Sequence, residues 1–178
     1  MKKGDNNLRT GFTIIEVALV LAIAGLIFLM VFVALPGLRA SQRDAERREN
    51  VAMLLEKVKE YQTNNRGALP SGGSSARQGG ASTSTRSTWQ DFYNEYLGDN
   101  FMDPGGTNYR LKIVDCGSAK DMDCKNNFNS NATFPNNYEI LVVKQATCSG
   151  ERAKGTSNPR KIAVMYKLEG AGVYCSNT

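Results

Sequence analysis

The sequence predicts an α+β fold, in which a long N-terminal helix, half membrane segment and half amphipathic, packs on a small antiparallel β-sheet. Three observations predict it. Residues 17–38 carry no charge, and residues 17–35 (VALVLAIAGLIFLMVFVAL) are apolar at every position. Val51, Leu54, Leu55, Val58 and Tyr61 then fall at i, i+3, i+4, i+7 and i+10, which is one stripe of a helix. Finally, residues 109–114, 138–143 and 162–168 are short runs rich in β-branched and aromatic residues, and residues 173–175 are a fourth candidate strand. One helix on one sheet is an arrangement in which both can bury an apolar face.

A helix needs about 20 apolar residues to cross a bilayer, so the N-terminal run is a membrane segment and the rest of the chain reads as water-soluble. The flanks barely decide its orientation. Lys2, Lys3 and Arg9 precede it, and Arg39, Arg43, Arg47 and Arg48 follow it. All four cysteines lie beyond residue 115, and disulfides form outside the cytosol, which places the C-terminal part outside. A secretory signal peptide would have a shorter core and a small-x-small cleavage site, which residues 36–41 (PGLRAS) do not supply.

The chain of 178 residues contains no histidine, which removes catalytic triads and His-bearing zinc sites. No acid–base pair for an anchored enzyme stands out, so the chain is expected to catalyse nothing and to need no cofactor. The cysteines Cys116, Cys124, Cys148 and Cys175 allow three pairings. A four-thiolate zinc site would need a closely spaced knuckle that they lack. Asp115, Asp121 and Asp123 are too few for a calcium site.

One carboxylate stands out. Glu16 directly precedes the apolar run and follows Phe12, Ile14 and Ile15. Within a span it would cost about 2.5–3.5 kcal/mol and would need a partner. At the membrane surface the helix N-terminus would stabilise it instead. Its setting is informative: Gly11-Phe12-Thr13-Ile14-Ile15-Glu16 follows a short basic leader and precedes an unbroken apolar helix. This resembles the class III signal of type IV pilins and the related pseudopilins.

The resemblance implies that a prepilin peptidase cuts between Gly11 and Phe12 and N-methylates Phe12. It implies that Glu16 then pairs with the terminal amine of a neighbouring subunit. The implied partners are other pilin subunits in a homopolymer, the peptidase, and an assembly platform with its ATPase. The implied locations are the cytoplasmic membrane for the precursor and the cell surface for the filament, where it would serve adhesion, twitching motility or DNA uptake. A pseudopilin of a type II secretion system or a minor pilin shares the signal. A single-span anchored extracellular binding domain that never assembles is the alternative from another class. Residues 102–113 (MDPGGTNYRLKI) resemble the strand entry of many pilins, and a Cys148–Cys175 bridge would match the family's C-terminal disulfide, leaving Cys116–Cys124 to close a short loop.

The expected organisation is a cleaved leader (1–11), a membrane and filament-core helix (12–38), an amphipathic continuation (39–65), a connecting loop with a short helix (66–108) and a sheet region (109–178). Pro36 and Gly37 mark an expected kink, since proline removes a helical hydrogen bond. In the resembled family this proline comes a few residues earlier, in a segment often unwound in filaments. The charged residues 39–50 are expected to stay exposed or to meet other subunits. Asn64-Asn65-Arg66-Gly67 and Pro70 stop the helix. Residues 71–88 are mostly Ser, Thr and Gly and read as a surface loop. Ser87 or Thr88 caps a short helix bearing Trp89, Phe92, Tyr93 and Tyr96. Residues 126–137 are asparagine-rich turns with a sequon at Asn131. Residues 144–167 carry six Lys or Arg against Glu151 alone, a run that reads chiefly as solvated surface and otherwise as a site for DNA or an acidic cell surface.

Overall fold

The structure, a computed structural model, describes residues 11–81, 88–116, 124, 138–169 and 172–178. The leader residues 1–10, Ser87, Asp121, Asp123 and the asparagine-rich residues 126–137 with their sequon lie outside the described residues. The chain divides into two compact units, Met1–Arg39 and Ala40–Thr178.

Helix α1 (Ile14–Asn64) contributes residues 14–39 to the first unit and 40–64 to the second. Thr13 starts it, its carbonyl accepting the amides of Glu16 and Val17. The helix continues through Pro36 and Gly37. Every large apolar side chain from Phe12 to Leu38 is exposed.

In the second unit the predicted stripe is the buried face of α1: Val51, Leu54, Leu55, Val58 and Tyr61 all lie in the main core. Burying each such side chain contributes about 1.5–3 kcal/mol. Opposite them pack the aromatics of a short helix, α2 (Trp89–Phe92), which continues as a π-helical turn (Tyr93–Leu97). Thr88 caps α2: its hydroxyl accepts the Asp91 amide, and its own amide donates to the Asp91 carboxylate.

The sheet corrects the expectation of an antiparallel one. Its strands are β1 (Ser75–Arg77), β2 (Arg110–Asp115), β3 (Glu139–Lys144), β6 (Ile162–Lys167) and β7 (Val173–Asn177), in the order β1-β2-β3-β6-β7. β2 and β3 run parallel, with Arg110 opposite Glu139 and Asp115 opposite Lys144; the other pairs are antiparallel. A parallel pair needs a crossover of about a dozen residues or more, and the chain between Asp115 and Glu139 is long enough to provide it. β4 (Ala146–Ser149) and β5 (Arg152–Gly155) form a separate hairpin. Gly150 takes its first turn position at φ 61°, a conformation open to glycine.

The two central strands are buried on both faces. Ile140, Val142, Ile162 and Val164 face the helical core, while Leu141, Val143, Ala163 and Met165 join Ala146 and Ala153 of the hairpin in a second cluster. This double burial explains why β3 and β6 are continuous apolar runs rather than alternating ones. Disulfides join Cys116 to Cys124 and Cys148 to Cys175. The second ties β4 to β7 beside the second cluster.

Candidate functional site

Phe12 and Glu16 sit at the start of the apolar helix. Phe12 is 85% exposed and Ile14 91% exposed. Glu16 is exposed in the first turn of α1, where the Thr13 hydroxyl donates to its carboxylate at 3.3 Å. Apolar surface on all sides of a helix is stable only in hydrocarbon or against other apolar chains. α1 is long and apolar enough to cross a membrane. Beyond Glu16, the first unit's part of α1 has no ionised group before Arg39. A carboxylate held there in a low-dielectric medium discriminates strongly for a cationic partner.

A second polar centre lies within the second unit: Asp44 and Arg47 are buried there, which corrects for these two residues the expectation that 39–50 stay exposed or meet other subunits, while Ser41, Gln42, Ala45, Glu46, Arg48 and Glu49 are exposed. Arg47 is buried, its side chain 3% exposed. Its Nε donates to Asp103 Oδ1 at 2.7 Å and its Nη1 to Asp44 Oδ1 at 3.1 Å, and its Nη2 lies 2.8 Å from Glu169 Oε1. The guanidinium also lies over the Tyr166 ring, 5.5 Å from its centre. Asp103 in turn accepts the Tyr166 hydroxyl at 3.2 Å and the Gly105 amide at 2.9 Å. Arg43 clasps Glu169 through two nitrogens, and the Glu169 amide donates to Asp44. The Asp103-Pro104-Gly105-Gly106 turn, closed by the Gly106 amide on the Asp103 carbonyl, therefore also presents an anion to Arg47.

The charges are mutually supported. Burial opposes ionisation of Arg47, but hydrogen bonding to Asp103 and the nearby charges outweigh it, and its pKa is raised. Burial would push the Asp103 carboxyl up; the bond from Arg47 and the Gly105 amide hold it below the usual carboxylate range. Glu169 is held low by its bond from Arg43, against a smaller opposing effect of burial. Burial pushes the Tyr109 and Tyr93 hydroxyls up to about 12. Burial, followed by the Asp103 charge, raises Tyr166 as well. These are the properties of a structural tie rather than of a proton-transfer site working near neutral pH.

The basic run of residues 144–167 is not one patch of free cations. Lys144 pairs with Asp115 at 3.0 Å, and Lys161 donates to the Thr178 carbonyl at 2.6 Å. Among the described residues no group of three or more metal-ligating side chains comes together. No protein-family model matches this chain, and no curated protein or solved structure matches it either. Sequence reasoning missed the Arg47 centre. The available signal was a run of helix formers with arginine and aspartate at i, i+3 spacing ahead of an apolar stripe, followed far downstream by an aspartate in a tight turn.

Proposed function

We propose that the chain is a structural subunit of a type IV pilus-like filament. Residues 12–38 anchor the precursor in the cytoplasmic membrane and, after cleavage between Gly11 and Phe12, form the core of the polymer. The observation that carries this reading is the exposed N-terminal part of α1, apolar from Val17 to Leu38, whose first turn holds a single carboxylate, Glu16, four residues after Phe12. Cleavage would create an amine at Phe12. In hydrocarbon, an amine on one copy and Glu16 on the next attract strongly, and the charge-assisted bond selects one register. Under this reading the chain catalyses nothing, and its work is done by packing. The disulfide-stapled second unit suits an extracellular surface. Its partners are further copies of the chain, the prepilin peptidase, and an assembly platform with its ATPase.

The test is Glu16→Ala in the producing cells, with the subunit quantified in sheared filaments and in membranes. We expect the variant to accumulate in membranes and to fall at least tenfold in the sheared fraction. A variant that assembles as well as the parent removes the role given to Glu16. A parent chain absent from the sheared fraction leaves an anchored binding domain as the better account.

A further inference from the structure

Residues 40–50 of α1 belong to the second unit, yet none of their side chains enters either apolar cluster. The first residue of α1 in the core is Val51. What holds the preceding turns is polar: Arg43 to Glu169, Asp44 to the Glu169 amide, Arg47 to Asp103 and Glu169, and the Asn50 amide to the Met102 carbonyl at 3.3 Å. Arg48 adds a contact over the Tyr174 ring, 5.6 Å from its centre. The partners come from two loops, one around Asp103 and one after β6.

We propose that the Arg43–Asp44–Arg47 cluster is a releasable latch. It fixes where residues 40–50 dock within the second unit, and it can open, letting those turns leave their partners and unwind, while residues 51–64 stay in the core. The two parts of the helix are held by different physics. Withdrawing Val51, Leu54, Leu55 and Val58 exposes apolar surface in proportion to the area withdrawn. Withdrawing Arg47, Asp103 and Glu169 returns ions to water, which restores the hydration that burial removed. The directional bonds fail together over a short displacement, since a hydrogen bond weakens steeply away from its optimum. Opening would free about 12 Å of helix between residues 43 and 51 at 1.5 Å per residue. If the chain is a filament subunit (the point on which this use of the latch rests), the second unit gains a stretch that yields under tension without unfolding.

The test is amide hydrogen exchange, read by mass spectrometry on the full chain in detergent micelles. First, the unaltered protein is followed across low urea concentrations. Amides of residues 44–50 should exchange by an opening with little urea dependence, and those of 54–64 by one with steep dependence. Second, Arg47→Met should speed exchange of residues 44–50 at least tenfold, and Leu54→Ala, which weakens the core that the opened form keeps, should speed exchange of residues 54–64 at least tenfold and leave residues 44–50 within twofold. Equal urea dependence in the two stretches would overturn the proposal. So would unchanged exchange of residues 44–50 in Arg47→Met, or acceleration of both stretches together in Leu54→Ala, in variants that fold. A variant that does not fold leaves the urea series on the unaltered chain as the deciding measurement. Loss of filament assembly would bear on the proposed function alone, since the latch is read here in the isolated subunit.

Discussion

Removing the two disulfides separately should destabilise the second unit by different amounts, in an order set by the chain. Cys148–Cys175 spans 27 residues and Cys116–Cys124 spans 8. The loop-closure relation gives about 3.5 kcal/mol for the longer bridge and about 2.5 kcal/mol for the shorter at 25 °C. Packing widens the gap. The longer bridge holds β4 to β7, and the Cys148 amide donates to the Asn177 side chain at 3.0 Å across the same seam. At about 3–4 °C per kcal/mol for a body of this size, the double-serine variant at 148 and 175 should melt roughly 10–14 °C below the parent. The variant at 116 and 124 should melt roughly 7–10 °C below. The assay is thermal unfolding of the full chain in detergent followed by tryptophan fluorescence. Trp89 is the single tryptophan and is fully buried in the second unit, so the signal reports that unit and not the membrane segment. An equal loss for the two bridges, or a larger loss for the shorter, would refute the reasoning.

Leu54 is fully buried against the aromatic core, so Leu54→Ala should cost about 2–5 kcal/mol in urea unfolding, whereas Leu26→Ala, at an exposed position, should leave the same transition within about 0.5 kcal/mol. Acid should destabilise the second unit through Asp103 and Glu169, whose folded pKa values lie below their ordinary ones. Their contribution is complete above the unfolded carboxylate range, near pH 4, and is lost as pH falls through the folded values. Facing them are Arg43, Asp44, Arg47, Tyr109 and Tyr166. Asp103→Asn should therefore flatten the decline in melting temperature between pH 5 and about pH 3, and an unchanged decline would count against the assignment.

The sequence made the helix of the second unit legible because a period of 3.6 survives in Val51, Leu54, Leu55, Val58 and Tyr61. From one turn of that stripe to the next the spacing is three or four residues, so local geometry alone places them on one face. The cores of β2, β3 and β6 were legible from β-branched runs, but their pairing was not. Whether Arg110 meets Glu139 in parallel depends on the path of the connection, which carries no periodic signal. The β4–β5 hairpin escaped notice because Thr147, Arg152 and Lys154 are polar and its buried positions, Ala146, Ala153 and Gly155, are small; Ser149-Gly150-Glu151-Arg152 was the turn signal available. Strand β1 lay inside a Ser- and Gly-rich stretch that reads as loop. Arg47 and Asp44 were misread because charge normally marks solvent. Their burial depends on partners 56 and 125 residues away, Asp103 and Glu169, which no local window contains.

The most direct test of the account is intact mass with N-terminal peptide sequencing of the protein sheared from its producing cells. The account predicts a chain that begins at N-methylated Phe12, recovered in the sheared fraction and carrying two disulfides. A chain that still begins at Met1 and is found only in membranes would contradict it.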